Sequence, residues 1–159
     1  MPPTMSTAFQ VELLLRVAIS LLVGLAFGFE REITRHAAGM RTMMLVCTGA
    51  CLFTSAGYFL IGGQPTDPTR IAAQVVTGVG FLGAGAIFRS EDSIRGLTTA
   101  ATVWLVAAIG VALGFGLYLL AIGGATVVLL LLIALRPLEK RIFERLAPSH
   151  PMRRETDKI

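Results

Sequence analysis

Residues 96–135 read GLTTAATVWLVAAIGVALGFGLYLLAIGGATVVLLLLIAL, a stretch without one Asp, Glu, Lys or Arg. As a single helix rising about 1.5 Å per residue it would extend about 60 Å, roughly twice the hydrocarbon thickness of a bilayer. The run must therefore fold back, and Gly114-Phe115-Gly116 is the turn, which leaves spans at about 97–113 and 117–135. Upstream, Ile71–Phe88 is uncharged between Arg70 and Arg89, and Met43–Ile61 is uncharged between Arg41 and the helix-stopping Gly62, Gly63 and Pro65. A fifth span needs Phe9–Phe29, which encloses Glu12 and Arg16 one helical turn apart. These two charges pair on one face, either as an interfacial ion pair with Arg16 snorkelling or, as the lesser reading, as a polar contact inside the bundle.

Composition agrees. The 159 residues are 54% hydrophobic and only 15% charged, too apolar for an ordinary water-soluble domain. The expected fold is an all-α polytopic transmembrane bundle: spans at about 9–29, 43–61, 71–88, 97–113 and 117–135 within a domain of residues 1–135, then a tail of residues 136–159. No cleaved signal peptide is expected, since the first 15 residues lack Lys and Arg.

Five spans divide the exposed segments into two sets. One holds Arg31, Arg35, Arg41, Arg89 and Arg95 together with the basic tail from Arg136 to Lys158, and the other holds Arg70. The positive-inside rule places the first set in the cytoplasm, hence the N-terminus outside and the C-terminus inside. The net charge of +4 then lies mostly against the anionic inner leaflet, so lipid is the expected partner and nucleic acid is not. In the tail, Leu138, Ile142, Phe143 and Leu146 recur at helical spacing with basic residues between them, the pattern of a short surface-lying amphipathic helix. Pro148 and Pro151 end it.

Gly78-Val-Gly80-Phe-Leu-Gly83-Ala-Gly85 contains a G-x-G-x-x-G string. A dinucleotide site would need a strand before it and an acidic residue about 20 positions later, whereas these glycines lie within a span and position 103 is Val. Small residues inside a bilayer instead let helices approach closely. Gly24, Gly28, Gly78, Gly80, Gly83 and Gly85 are thus candidate packing positions, with Gly110 and Gly114 repeating the spacing of Gly24 and Gly28; a homodimer is a further consequence. A lesser reading is an unwound helix lining a substrate site. Arg70, Gln74 and Thr77 form a polar stripe that would face the interior. Cys47 and Cys51, one turn apart without a nearby His, read as small packing residues.

The two cytoplasmic loops also look alike, Gly28 and Gly39 bracketing one and Gly85 and Gly96 the other, with Thr42, Val46 and Ala50 matching Thr99, Val103 and Ala107. This suggests two related hairpins plus one added helix. Glu30, Arg31, Glu32, Arg41, Glu91, Asp92 and Arg95 then gather on the cytoplasmic face, either as solvated loop ends or as pairs, with Arg41 and Arg95 meeting Glu30 and Asp92.

Four blocks carry a family resemblance: Gly28-Phe-Glu30-Arg31; Ala38-Gly39-Met40-Arg41-Thr42; Asp67-Pro-Thr-Arg70-Ile-Ala-Ala-Gln74-Val-Val-Thr77-Gly78-Val-Gly80-Phe-Leu-Gly83-Ala-Gly85; and Arg95-Gly96-Leu-Thr98-Thr99-Ala-Ala-Thr102-Val-Trp104. Together they resemble the MgtC/SapB family of bacterial inner-membrane proteins. The resemblance implies a role in adaptation to low magnesium, and in some pathogens survival within macrophages and restraint of the ATP synthase. It also implies a short form without the C-terminal ACT-like domain of many relatives. Thr98 stands where the family usually has Asn, so a role that needs an amide is not carried over.

Two functions remain open. One is a regulatory or interaction protein acting on another membrane complex such as the ATP synthase, with the glycine faces and Trp104 as contact surface. The other is a transporter or channel for magnesium or another small solute, using Arg70, Gln74, Thr77, Thr98, Thr99 and Thr102. Magnesium favours carboxylates and water, yet the one carboxylate within a span, Glu12, is already paired, so no dehydrated magnesium site is expected at mid-membrane and no cofactor is assigned; Asp67, Glu30, Glu91 and Asp92 could bind hydrated magnesium at the surfaces. His36 and His150 are isolated, and no enzymatic constellation is seen. The candidate functional residues are Glu30, Arg31, Arg41, Thr42, Arg70, Gln74, Thr77, Arg95, Thr98, Thr99, Thr102 and Trp104.

Overall fold

Helix α1 (Thr7–Ile33) starts where Ser6 caps it, the side-chain oxygen accepting from Phe9 N at 3.3 Å. It is followed by α2 (Met40–Ile61), α3 (Thr69–Gly85), β1 (Phe88–Ser90), β2 (Ser93–Arg95), α4 (Leu97–Gly114) and α5 (Tyr118–Leu146). The structure is a computed structural model, and it describes residues 6–61, 67, 69–90 and 93–146.

The turn that splits the long apolar run falls where the sequence places it. Gly116 adopts φ 77°; its N–H donates to Leu113 O and that of Leu117 to Ala112 O, both at 2.9 Å. These are the paired bonds of a helix ending on a left-handed glycine. At the other end of α4, Gly96 has φ 91°, and a Cβ there would sit 1.9 Å from Ala86 O. Only glycine fits.

Four helices are long and apolar enough to cross a membrane: Thr7–Ile33, Met40–Phe59, Leu97–Gly114 and Tyr118–Pro137. The expected third span at 71–88 is shorter, because α3 ends at Gly85 after 17 residues, about 26 Å of helix. Phe88 instead begins a two-stranded antiparallel hairpin in which Phe88 pairs with Arg95, Arg89 with Ile94 and Ser90 with Ser93. Glu91 and Asp92 lie outside the described residues. No separate tail helix follows the last span: α5 runs unbroken through Pro137 to Leu146, and residues 147–159 lie outside the described residues.

Helix α4 is the centre of the bundle, in contact with all four other helices. Its Val103, Val106 and Leu113 pack with Phe27 of α1 and Met43 and Cys47 of α2. Since lipid tails are as apolar as these side chains, close van der Waals fit and hydrogen bonds hold the helices together. Glycine makes the fit possible on both sides of α2. A Cβ at Gly24 would lie 2.6 Å from Met44 Cα and one at Gly28 2.4 Å from Met40 Cα, while on α4 one at Gly110 would lie 2.2 Å from Cys47 O. Cys47 and Cys51 are free and buried between these surfaces.

The glycine run of α3 behaves differently. Gly78, Gly80 and Gly85 meet nothing within 4 Å, and Gly83 alone approaches a neighbour, 3.7 Å from Ala100 Cβ. The expectation that all four pack within the bundle is corrected, because α3 leans on α4 by one edge and leaves the rest of its glycine face open. In the proposed hairpin repeat, buried Gly28 corresponds to open Gly85, so the two halves are not packed alike.

Candidate functional site

Buried charge singles out two places. At the N-terminal half of α1, Arg16 is 8% exposed. It donates to Gly114 O at 2.7 Å, pairs with Glu12, and lies 6.0 Å from the centre of the Tyr118 ring. Ser55 donates to the same carbonyl at 3.3 Å. The guanidinium thus caps the C-terminal end of α4, where the helix dipole is negative. The expected pair with Glu12 forms, and the burial of Arg16 with its bond to Gly114 O favours the second reading, a polar contact within the bundle that anchors α1 to the α4–α5 turn.

The second place lies where the end of α1 meets the start of α4 and the far part of α5. Glu30 and Arg31 are adjacent, 7% and 2% exposed. Arg31 Nη2 donates to Thr99 Oγ1 at 2.8 Å, across 68 positions of chain. Glu30 Oε1 accepts from Arg136 Nη2 at 2.5 Å, across 106 positions. The helix ends just beyond, Thr34 Oγ1 donating to the carbonyls of Glu30 and Arg31 at 3.0 Å. Glu30 Oε2 and Arg31 Nε are buried with no partner among the described residues.

Glu30, Arg31 and Arg136 carry a net charge of +1. His36, largely exposed, lies within 2.5 Å of Thr34 Oγ1 through Nδ1. Partial burial, and then Arg31, hold its pKa below the ordinary histidine value. The arrangement favours anions. Magnesium is a hard dication that takes carboxylates and keeps several waters, and here the buried carboxylate already binds an arginine. Among the described residues no three His, Cys, Asp or Glu gather into a metal site.

Of the sequence candidates, the structure brings together Glu30, Arg31 and Thr99. Arg41 and Thr42 are exposed on α2 and Arg95 on β2, so Glu30 meets Arg136 in place of the expected arginines. The Asp92 pairing lies outside the described residues. Thr102 is buried and donates to Thr98 O at 2.7 Å, which occupies its hydroxyl proton; the Thr98 side chain is exposed. Trp104 is half-exposed toward the surroundings of the bundle.

The polar stripe does not face the interior. Arg70, Gln74 and Thr77 are exposed on α3, and Thr77 folds back to donate to Ala73 O at 3.0 Å. Gln74 borders a cavity of about 440 Å³ between α2 and α3 whose other lining residues, Leu45, Phe53 and Val79 among them, are apolar or glycine. Thr102 is not among them.

Arg136 is the member of the cluster that the sequence does not single out. Its one signal was its place as the first charge after the 40-residue run, which reads equally well as a helix end.

A profile described as the MgtC family matches residues 17–141. Protein MgtC of Salmonella typhimurium is 42% identical over 129 residues, covering 81% of this chain and 54% of that protein. An uncharacterised protein of Synechocystis, slr0014, is 42% identical over 127 residues, 80% of this chain and 53% of its own. Escherichia coli YhiD, named a putative magnesium transporter, is 40% identical over 140 residues, 84% of this chain and 65% of its own. The chain therefore spans about half to two thirds of the length of these relatives. No solved structure gives a significant match.

Proposed function

The chain belongs to the MgtC family, and from that premise we propose that it serves bacterial adaptation to low magnesium by contacting another membrane complex rather than by carrying the ion. The magnesium connection rests on the relatives, one of which is named a putative magnesium transporter. The preference for contact over carriage rests on the buried cluster. A dication brought to about 6 Å from one uncompensated guanidinium would be repelled by about 5 kcal/mol at an effective dielectric constant near 20.

The packing agrees. The α1–α2–α4 core closes on glycine contacts tighter than a methyl group allows, whereas α3 offers Gly78 and Gly85 with exposed Phe81 and Leu82 on one face. We assign that face to the contact with a helix of the partner complex, the ATP synthase being the partner the family resemblance suggests; a second copy of the chain is the competing occupant. In this reading the protein is not an enzyme and resides in the inner membrane, N-terminus outside and C-terminus in the cytoplasm. Five spans, with α3 as the short one, bring the basic segments to the cytoplasmic side.

Transport has one observation in its favour, Gln74 beside the α2–α3 cavity. Co-reconstitution of the full chain with ATP synthase in liposomes separates the readings. Contact expects slower ATP-driven proton pumping and magnesium flux no greater than in protein-free liposomes. Chain-dependent magnesium flux with unchanged pumping refutes it.

A further inference from the structure

Arg31 is the largest fully buried side chain in the described structure, 2% exposed, and among the described residues it has no ion pair. Glu30, the adjacent carboxylate, is engaged by Arg136 instead. A buried charge without a counter-ion costs several kcal/mol unless other groups compensate, and among the described residues Arg31 makes one hydrogen bond, to a neutral hydroxyl. That hydroxyl belongs to Thr99, the third residue of α4. The guanidinium therefore sits against the first turn of an 18-residue helix.

This end of α4 is itself positive. First-turn N–H groups have no partner within the helix, and aligned peptide dipoles place about half a positive charge there. Gly96, at the capping position, makes no side-chain bond to them. Such helix starts usually carry Asp, Ser or Thr at the cap. Here an arginine takes the neighbouring place, which raises the local potential further. Arg136 thus holds the carboxylate of Glu30 while Arg31 lies against the helix N-terminus, and among the described residues Arg31 Nε remains a buried donor, and Glu30 Oε2 a buried acceptor, without a partner.

We propose that this junction of α1, α4 and α5 is an oxyanion site for a phosphate group. The ligand class follows from the donors. A tetrahedral phosphate can accept from the guanidinium fork and from backbone N–H groups at once, which a monatomic anion cannot. Entry is from the side of Arg136, whose side chain is 39% exposed. Glu30 acts as the internal competitor, holding Arg136 until phosphate replaces its carboxylate. The phosphate is either that of a lipid headgroup or free in solution. The inference does not depend on the regulatory function proposed above.

The competitor role gives a test that a purely structural role would not pass. Full-length protein in uncharged detergent is melted across a titration of inorganic phosphate, with chloride at matched ionic strength as the screening control. In parallel it is melted in nanodiscs of phosphatidylcholine, alone or mixed with phosphatidylglycerol. Saturable, phosphate-specific stabilisation identifies free phosphate as a ligand, and stabilisation by phosphatidylglycerol alone identifies a headgroup. In either arm Glu30→Gln tightens the response by roughly tenfold, because one opposing charge is removed. Arg31→Gln abolishes the response. Should that variant not fold, Arg136→Gln weakens it instead, while chloride remains without effect. Absence of a saturable response in both arms, or a response indifferent to Glu30→Gln and Arg136→Gln, overturns the proposal.

Discussion

The matched pair Gly110→Ala and Gly78→Ala tests the packing scheme with one methyl group. At Gly110 the new Cβ would lie 2.2 Å from Cys47 O and 2.9 Å from Ala50 Cβ, and ordinary contact begins near 3.4 Å. Helices α2 and α4 would have to separate by about 1 Å to admit it. A radial gap of that order removes a quarter to a half of each neighbouring dispersion contact, and in a bilayer no hydrophobic gain offsets the loss. Overpacking of this kind costs about 2 to 3 kcal/mol, or about 5 to 10 °C in Tm for a chain of this size. At Gly78 nothing lies within 4 Å, so Ala is accommodated freely and gains about 0.5 to 1 kcal/mol from helix propensity. Thermal unfolding in the same detergent, followed by near-UV circular dichroism, reads both variants against the wild type. The reasoning fails if Gly110→Ala melts within about 2 °C of Gly78→Ala.

Three other expectations follow from single contacts. Arg16→Met leaves Gly114 O with Ser55 alone and should cost about 2 to 4 kcal/mol, whereas Glu12→Gln, which spares the bond to Gly114, should cost less than half as much; denaturant unfolding of the two variants checks the order. Thr99→Val deprives Arg31 of its acceptor and should destabilise by about 1 to 3 kcal/mol; wild-type stability would remove Thr99 from the cluster. His36, with its pKa held below the ordinary value near 6.5 by burial and then by Arg31, favours the fold when neutral. Its contribution is complete above that pH and is lost as pH falls through the lowered folded pKa, with Arg31, Glu30, Arg136 and Thr34 around it. Melting curves at successively lower pH should therefore fall less steeply in His36→Gln than in the wild type.

What could be read before folding depended on local composition. The uncharged run from Gly96 to Leu135 required a turn, and Gly116 supplied the one backbone conformation that closes it. The break at Gly96 and the all-helical class were equally local. Even the cluster was half visible, since Glu30, Arg31 and Thr99 stand in the blocks that carry the family resemblance.

Rotation of each helix about its own axis was not visible. In water an apolar stripe announces which face turns inward, but lipid is as apolar as the bundle core, so the spans are hydrophobic on nearly every side and their sequence leaves the inward face open. Tertiary structure alone decided that Gly24, Gly28 and Gly110 close against α2 while Gly80 and Gly85 meet no neighbour and Gly78 opens on the α2–α3 cavity, and that Arg70, Gln74 and Thr77 stay exposed on α3. It also decided that Glu30 meets Arg136 rather than Arg41 or Arg95. That choice needs α5 to continue past the last apolar residue and to lie beside the end of α1, a relation across 106 positions of chain that depends on helix length and crossing direction, not on the residues around either partner.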